Sequence, residues 1–473
     1  MKILYLSSEV APFAASGGLG DVIGALPATI AEKGEHRVEV VCPLYSTMKP
    51  EFRTELSHVM DISFKLSWRE TGASIYSLVS RGVTYYFIEN HYYFDRGRLY
   101  GEYDDAERFA FFSRAALEFV RTRGDVPDVI HANDWQTAPA LAYLKTLYVS
   151  DPVLSPIKTV FTIHNIEYQG KFDPYILGDV FGLDVEHLGL MSYDGCLNLM
   201  KAALVSADYI TTVSPNYANE LQYDFFAFGL QDVIRSVSYK MKGVINGIDY
   251  GVFAPEVDKD IYKTYTTRMI KSGKAKNKLA LCEELGLDTD PEVPLLVMIT
   301  RLASQKGIDL LTCIGDELLS HKLQLVVLGT GEREYEDALM ALECRHSNFK
   351  ALIQFDRALS KKLYAAADIF LMPSKSEPCG LSQMIACSYG TVPVVRSVGG
   401  LYDTIKAYPE DMANGFRFDN YNAHDFLGAI MYAIDIYNKP KLWAALRKNT
   451  KLSSFTWDKS ADEYISIYNN LLN

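Results

Sequence analysis

Two successive series of short apolar runs, separated by segments with helical periodicity, constrain the fold of this chain more than any other feature. The first series covers residues 2–7, 37–42, 127–131, 159–163 and 209–213. The second series covers residues 294–300, 323–328, 351–355, 369–373 and 392–395, with helical segments such as 308–319 between them. Strands that alternate with helices predict βαβ units and parallel sheets. The sequence therefore predicts an α/β protein whose sheet-building pattern begins twice.

The segment VINGIDYGVFAPEVD lies between the two series. Its Asn-Gly, Tyr-Gly and Ala-Pro pairs are typical of turns rather than of a helix or strand. A chain of 473 residues is also longer than one hydrophobic core usually organises. We therefore expect two domains, with a boundary near Val244.

The overall charge restricts the partners of the protein. The formal net charge is -12 at pH 7 and the pI is about 5.3, which opposes unspecific binding to nucleic acid or to an anionic membrane because both are negative. No apolar run approaches the ~18 residues of a spanning helix, and the first run is too short for a secretory signal. We expect a soluble, cytoplasmic protein with no nucleic-acid or membrane partner, and its oligomeric state stays open.

The first apolar run is followed by the motif SGGLGDV. In open parallel sheets, ligands bind beyond the carboxyl ends of the strands, so this loop is placed to contact one. Adjacent glycines let the backbone approach a ligand, and a helix that begins near Leu19 favours an anion at its N-terminus. We therefore take Gly17, Gly18 and Asp21 as candidate binding residues for a phosphate or a sugar.

Two other interpretations of this motif stay open. The first is a purely structural strand-to-helix turn. The second is a dinucleotide fingerprint, which is disfavoured by the spacing Gly18-x-Gly20-x-x-x-Gly24 and by the absence of an acidic residue near Cys42. A similar motif, VGGLYDT, follows a later strand at residues 398–404. This echo supports a duplication in which two similar half-sites face one ligand, and a chance match of two glycine pairs is the alternative.

Polar side chains follow two further strands of the first series. The motif HANDWQTAP places Asp134 at a strand end, and HNIEYQG places His164 at the equivalent point of the next strand. Both positions border the expected ligand site. For either residue alone, a capping or core role is an equal alternative.

The second series supplies two cations and a carboxylate at strand ends. Arg301 and Lys306 follow the strand PLLVMIT, and Glu377 follows the strand DIFLMPS. Two converging cations would neutralise a departing diphosphate, where preorganised charge stabilises a transition state most. A carboxylate at Glu377 would accept hydrogen bonds from sugar hydroxyls, or it is a helix-entry residue that the macrodipole favours.

Taken together, the motifs SGGLGDV, HANDWQTA, HNIEYQG, TRLASQKG, EPCGLSQ, SVGGLYDT and SFTWDKSADEY resemble those of the bacterial glycogen synthase and plant starch synthase family. The resemblance extends from Met1 to the C-terminus. It implies a glycosyltransferase B-type (GT-B) fold, with two doubly wound Rossmann-like domains that face a central cleft. Residues 1–243 would form the acceptor-side domain, residues 244–455 the nucleotide-sugar-binding domain, and residues 456–473 a helix that crosses back onto the first domain.

The resemblance also implies an activity. It is the retaining transfer of glucose from ADP-glucose to the non-reducing end of an α-1,4-glucan, with ADP-glucose and glycogen or maltodextrin as partners and no cofactor. Arg301 and Lys306 would bind the donor diphosphate, Glu377 the donor glucose, and Asp134 and His164 the reacting region. Further substrate-binding candidates are Asn246 in the connector, Phe355 against the adenine, the backbone of Cys379, Gly380 and Leu381, and the loop of Gly399 and Gly400.

No metal site is expected. The seven cysteines lie far apart without a CxxC pair, which argues against structural zinc and a disulfide framework. An Asp-x-Asp pair, which metal-dependent glycosyl transfer often uses, occurs at Asp288 and Asp290, but the sequence LDTDPEVP around it is typical of a turn. The cations and a helix N-terminus can supply the electrostatic stabilisation instead.

One departure from the family stands in the first loop. The family usually has Lys-Thr-Gly-Gly-Leu, whereas this chain has Ala15 and Ser16 in the first two places. The role of that lysine therefore cannot be carried over, and the effect on donor affinity and turnover stays open. The alternatives are a same-fold transferase with another donor, such as UDP-glucose, or another acceptor, and a non-catalytic glucan-binding homologue. A phosphorylase is disfavoured because the motifs leave no place for its pyridoxal lysine.

Overall fold

The computed structural model describes all residues from Met1 to Asn473, and the chain divides into two compact units. The first unit comprises Met1–Val244 and Trp457–Asn473, and the second comprises Ile245–Thr456. The chain therefore leaves the first unit in the turn-rich connector and returns to it for its last helix. No helix in either unit has the length and apolar character that a bilayer crossing requires.

The strands are short, as expected for βαβ units. They are β1 Lys2–Leu6, β2 Arg37–Pro43, β3 Ser57–Leu66, β4 Arg69–Ser80, β5 Val83–Glu89, β6 Val129–Asn133, β7 Lys158–Ile163, β8 Lys171–Phe172, β9 Ser192–Tyr193, β10 Cys196–Asn198, β11 Tyr209–Thr212, β12 Met241–Gly243, β13 Leu295–Ile299, β14 Gln324–Leu328, β15 Phe349–Leu352, β16 Ile369–Met372, β17 Val392–Arg396 and β18 Phe416–Phe418.

Helices separate most of the parallel strands. They are α1 Gly18–Glu32, α2 Pro50–Arg53, α3 His91–Phe94, α4 Asp105–Arg123, α5 Ala138–Lys145, α6 Ile176–Phe181, α7 Leu188–Met191, α8 Leu199–Ser206, α9 Pro215–Glu220, α10 Asp224–Ala227, α11 Gln231–Val237, α12 Ile270–Leu285, α13 Ile308–Leu319, α14 Arg333–Arg345, α15 Arg357–Ala366, α16 Ser382–Ser388, α17 Gly399–Thr404, α18 Ala423–Tyr437, α19 Pro440–Leu452 and α20 Trp457–Leu472. Short 3-10 turns occur at Val185–His187, Ser238–Lys240, Thr267–Met269 and Ser304–Lys306.

The first unit contains a nine-stranded sheet with the order β12-β11-β7-β6-β1-β2-β5-β4-β3. All neighbours from β12 to β5 are parallel, and β4 and β3 pair antiparallel at one edge. The strand order reverses between β1 and β6, which are buried along their whole length. A ligand of this unit is expected beyond the carboxyl ends of those two strands.

The second unit contains a six-stranded, wholly parallel sheet with the order β15-β14-β13-β16-β17-β18. The order reverses between β13 and β16. Helix α13 buries Ile308, Leu311 and Ile314 in the same apolar cluster as Met298 and Leu325 of the sheet. This spacing of three along the helix is that of an amphipathic helix on a sheet.

The α/β prediction with parallel sheets is confirmed, but several strands were not predicted. The hairpin of β3 and β4, the small antiparallel sheet β8-β10-β9 and the three-residue strand β18 contain no continuous apolar run. β3 alternates between exposed and buried residues over its second half, which is typical of an antiparallel strand covered on one face only. β15 ends at Leu352 rather than at Phe355, so the strand end predicted at Phe355 is wrong.

Helix α20 packs in the first unit through a buried group of hydrogen-bonded side chains. Tyr468, which is fully buried, brings its hydroxyl within 2.7 Å of the Tyr5 hydroxyl on β1 and within 2.7 Å of His131 Nδ1 on β6. The other ring nitrogen of His131 lies 2.5 Å from Thr162 Oγ1 on β7. The last helix is thus attached directly to β1 and β6, and through His131 to β7.

Candidate active site

The switch point of the second unit brings together two residues that the sequence placed in separate motifs. Lys306 belongs to the 3-10 turn after β13, and Glu377 to the loop after β16. Because β13 and β16 are neighbours where the strand order reverses, these loops lie side by side. Lys306 Nζ donates a hydrogen bond to Glu377 Oε2 over 2.7 Å. A cation and a carboxylate therefore meet where an α/β sheet binds its ligand.

The surroundings of Glu377 hold its carboxylate in place. The residue is only 7% exposed. The Ser374 hydroxyl donates to the same Oε2 over 3.0 Å, so this oxygen accepts two hydrogen bonds from side chains. Arg301, two residues beyond β13, is exposed, and no ion pair holds its guanidinium. The site thus offers a fixed carboxylate with two cations on the neighbouring loop.

The loop of Gly399 and Gly400 packs against the backbone that carries Glu377. The Gly400 N–H donates to the Glu377 and Pro378 carbonyls over 3.2 and 3.1 Å. A Cβ atom on Gly399, whose φ is +41°, would lie 1.9 Å from the Glu377 carbonyl oxygen. Only glycine permits this close approach. The Gly400 N–H is therefore used within the protein, and both glycines position the Glu377 loop.

Cys379, Gly380 and Leu381 continue that loop to the start of α16. Burial raises the pKa of the Cys379 thiol to about 12, so the group stays a protonated thiol and is no nucleophile at neutral pH. Asn246 hydrogen-bonds through its backbone to Cys379. The Asn246 side chain is 7% exposed, and its Oδ1 atom is buried without a hydrogen-bond partner. Asn246 and Cys379 thus lie side by side, although the connector and the loop after β16 are far apart in the sequence.

Phe355 lies in the loop after β15, at the edge of the six-stranded sheet. Its side chain is 91% exposed. Phe355 is therefore not a core residue of this unit. A free aromatic face in this position can stack on a planar base, because stacking needs only the π surface.

In the first unit, Asp134 and His164 follow the neighbouring strands β6 and β7 and lie together. Asp134 Oδ1 accepts hydrogen bonds from the backbone N–H groups of His164 and Asn165 over 2.7 and 3.4 Å. Asp134 has a φ of +55°, a left-handed conformation that costs a non-glycine residue energy and is common at functional sites. The structure thus places both predicted residues beside the switch point of this unit.

Burial changes the acidity of both groups. It raises the pKa of the Asp134 carboxyl to about 7, and the nearby Glu9 charge acts in the same direction. Burial lowers the pKa of His164 to about 3, so its imidazole is neutral at pH 7. His164 Nε2 lies 2.9 Å from Asn133 Oδ1, which assigns the proton to Nε2 because an amide oxygen only accepts.

Glu9 is a residue of this site that the sequence analysis missed. It follows β1 and is 4% exposed. Its carboxylate accepts hydrogen bonds from the Ser16 N–H, the Gly17 N–H, the Ser16 hydroxyl and the Tyr100 hydroxyl over 2.5, 3.1, 2.8 and 2.6 Å. Part of the predicted anion-binding loop is therefore already bound to an internal carboxylate. Glu9 stands a few residues after the buried strand β1, as Arg301 and Lys306 do after β13, so the same search of strand ends would have selected it.

The remaining residues of this glycine loop lie at the surface. Gly18 is exposed and begins α1, and a Cβ atom on it would meet no other atom. Asp21 is exposed in the first turn of α1. Ala15 is exposed as well and lies over Gly20, where a Cβ atom would come within 2.5 Å of the Ala15 Cβ. The position that lacks the expected lysine is thus open to solvent.

The sequence matches two protein families along most of its length. Residues 2–236 match the starch synthase catalytic domain, and residues 285–452 match the glycosyl transferases group 1 domain. The chain is 46% identical to a glycogen synthase of Clostridium botulinum (strain Alaska E43 / Type E3), over 100% of this chain and 99% of that protein. It is 43% identical to a glycogen synthase of Exiguobacterium sibiricum, over 99% of this chain and 98% of that protein. The chain belongs to the glycogen synthase and starch synthase family.

A solved structure of this family has the same fold. It is the catalytic domain of Starch Synthase IV from Arabidopsis thaliana bound to ADP and acarbose, which is 33% identical and superimposes with a TM-score of 0.90, over 99% of each chain. The prediction of a glycosyltransferase of GT-B type is confirmed by this match and by the family matches.

Many glycosyltransferases bind their donor through a metal ion, but the side chains of this family member form no such centre. No group of three or more His, Cys, Asp or Glu side chains is arranged to hold a metal. Asp288 and Asp290 form the predicted turn: the Asp290 N–H donates to Asp288 Oδ1 over 2.9 Å, and the Asp290 carboxylate pairs with Lys322 over 3.1 Å.

Proposed function

We propose that this chain is a cytoplasmic glucosyltransferase that transfers glucose from ADP-glucose to the non-reducing end of an α-1,4-glucan with retention of configuration. The observation that carries the proposal is the ion pair of Lys306 and Glu377 at the switch point of the second unit. The relatives support it as well: they are glycogen synthases, and a solved relative binds ADP and acarbose.

The second unit is proposed to bind the donor. Arg301 and Lys306 would hold the diphosphate, whose negative charge grows as the glycosidic bond breaks and is then stabilised by cations already in place. Glu377 would accept hydrogen bonds from the glucose hydroxyls and so orient the reacting carbon. Phe355 would stack on the adenine. The backbone of residues 379–381, together with Asn246, Gly399 and Gly400, would line the same site.

The first unit is proposed to bind the acceptor. Asp134 and His164 would lie at the reacting region, with the neutral His164 ring accepting a hydrogen bond from a sugar hydroxyl at Nδ1, because its Nε2–H is donated to Asn133 Oδ1. Gly17, Gly18 and Asp21 would contact a phosphate or sugar at the N-terminus of α1. No metal ion takes part in this proposal, because the two cations supply the positive charge.

A donor assay tests the proposal. The purified chain is incubated with glycogen and either ADP-[14C]glucose or UDP-[14C]glucose, with EDTA or with added magnesium. Label should enter glycogen from ADP-glucose, survive EDTA, and be released by an enzyme that removes α-1,4 residues from non-reducing ends.

Three outcomes would contradict parts of it. Faster incorporation from UDP-glucose would assign the other donor. Loss of transfer in EDTA with recovery in magnesium would remove the metal-free mechanism. Glycogen binding without incorporation from either donor would leave a glucan-binding protein.

A further inference from the structure

Two side chains that no sequence motif singled out, Arg396 and Tyr421, lie between the loops that carry Lys306 and Glu377. Arg396 is the last residue of β17, and Tyr421 lies in the loop between β18 and α18. β17 and β18 continue the sheet beyond β16. Both residues therefore stand at the same carboxyl edge as the ion pair.

The Arg396 guanidinium binds the loop of Glu377. Its Nη1 donates to the Lys375 carbonyl over 2.6 Å, two residues before Glu377. Its Nε donates to the Asp419 carbonyl over 3.2 Å. The donors of a guanidinium are fixed relative to each other in one plane. Arg396 thus holds the loop after β16 at a set distance from the loop after β18.

The Tyr421 side chain extends this connection to the turn of Lys306. Its ring centroid lies 5.4 Å from Arg396 Cζ and 5.9 Å from Lys375 Nζ. Its hydroxyl donates to Asp309 Oδ1 over 2.5 Å and lies 3.5 Å from the Ser304 carbonyl. Asp309 is in the first turn of α13, directly after the 3-10 turn that ends at Lys306. Burial and the Asp309 charge raise the pKa of Tyr421, so its hydroxyl stays a donor at neutral pH.

The two loops also contact each other directly. The Lys375 N–H donates to the Gln305 carbonyl over 2.8 Å. The Gln305 amide donates to the Ser376 hydroxyl over 3.2 Å. These contacts join the loops directly, whereas Arg396 and Tyr421 join them by a second route. The chain of contacts runs from the Lys306 turn through Asp309, Tyr421 and Arg396 to the Glu377 loop.

We propose that Arg396 and Tyr421 are positioning residues of the donor site, which set the separation of the Lys306 turn from the Glu377 loop. Arg396 donates to the Lys375 carbonyl and Tyr421 donates to Asp309, so each acts through the segments that carry Glu377 and Lys306. The inference rests on the proposed function, because a changed separation of Lys306 and Glu377 alters turnover only if both side chains act on the donor. A displacement of about 1 Å can reduce turnover about 100-fold.

The test measures turnover and Michaelis constants of Arg396→Met and Tyr421→Phe. Each should lower kcat about 10-fold or more, with the KM for ADP-glucose within about threefold of wild type, because the donor contacts remain but are misaligned. Arg396→Lys should recover only part of the loss, since one ammonium cannot reproduce the planar fork. Arg417→Met is the matched control: its guanidinium stacks on Tyr402 over 4.5 Å and donates to the Tyr402 carbonyl over 3.1 Å but reaches neither loop.

Several results would overturn the inference. One is a kcat of both variants equal to that of Arg417→Met. A raised KM with unchanged kcat would instead mean direct donor contact. If Arg396→Met loses activity only in proportion to its unfolded fraction while Tyr421→Phe is normal, the residues merely stabilise the fold. Absence of transfer by the wild-type chain would reject the proposed function, whereas an active wild type with unaffected variants rejects the positioning role alone.

Discussion

At the scale of single residues, Lys306 and Glu377 form one ion pair but are proposed to contact different parts of the donor. Loss of Lys306 should weaken ADP binding and slow turnover, since its contact strengthens as charge grows on the diphosphate. Loss of Glu377 should spoil the position of the glucose and leave ADP binding near wild type. The two substitutions are therefore expected to have different effects on ADP binding, although both slow turnover.

The measurement is ADP binding by calorimetry beside steady-state turnover of Lys306→Ala and Glu377→Ala. Each should lose on the order of 100-fold in kcat, about 3 kcal/mol. Lys322→Ala, which removes an exposed ion pair with Asp290, is the control and should stay near wild type. Folded variants with near-wild-type turnover would show that the active site lies elsewhere.

A substitution at Ala15 tests the role of the lysine that the family usually has in the first loop and that this chain lacks. Ala15→Lys should lower the KM for ADP-glucose several-fold and change the KM for glucan less, because an exposed charge near an anion contributes about 1 kcal/mol at most. Ala15→Met, which adds length without charge, should leave the donor constant unchanged. An unchanged or weakened donor constant in the lysine variant would mean that another residue already supplies this charge.

Asp134 should make stability depend on pH. Its pKa of about 7 lies above the ordinary value of 3.8, so the folded protein keeps a proton that the unfolded chain has lost. The stability that this carboxyl contributes is therefore present below pH 4 and is lost as the pH rises through 7. Relative to Asp134→Asn, the wild type should lose at most about 4 kcal/mol between these limits. Unfolding free energies of the two proteins at about pH 4 and pH 8 measure it, and parallel pH profiles of the two proteins would contradict it.

At the scale of elements, one lysine joins the ends of two helices. Lys274 on α12 is 2% exposed. Its ammonium donates to the Tyr364 and Ala365 carbonyls at the end of α15, to the Tyr389 carbonyl at the end of α16, and to the Thr391 hydroxyl, over 2.8 to 3.3 Å. Helix C-termini carry partial negative charge, which favours a cation there. Burial lowers the pKa of Lys274.

Removing this ammonium should destabilise the second unit. Lys274→Met leaves buried carbonyls with fewer donors, and we expect a loss of about 2–4 kcal/mol in the free energy of unfolding. Lys276→Met, an exposed site on the same helix, should change stability by less than about 0.5 kcal/mol. Denaturant unfolding of both variants decides the matter, and equal stabilities would mean that the carbonyls find other donors.

At the scale of the whole molecule, the chain returns to its first unit for its last helix, and Tyr468 anchors that helix. Tyr468→Phe removes the hydroxyl between Tyr5 and His131 and should cost about 1–3 kcal/mol of unfolding free energy. Tyr143→Phe is the matched control, because the Tyr143 hydroxyl is equally buried but has no hydrogen-bond partner. Equal unfolding midpoints of the two variants would show that apolar packing alone holds the helix.

The sequence by itself determined the strands that are buried on both faces, the amphipathic helices between them, and with these the strand-end residues. Continuous apolar runs are required where helices cover both faces of a parallel sheet, so β13, β16 and the residues after them could be located. The helix predicted at 308–319 is found as α13 Ile308–Leu319. Strands covered on one face only, such as β3, have no such run and were missed.

Only the tertiary structure decided which loops meet. Lys306 and Glu377 are 71 positions apart and lie side by side because β16 pairs with β13 instead of with β15, a choice made by hydrogen bonds and packing between distant segments. The same holds for Glu9, whose carboxylate binds a loop that the sequence had assigned to an external anion. The apolar pattern of a segment indicates which of its faces is buried. Which strands and helices cover that face depends on all the other segments of the chain that could pack there.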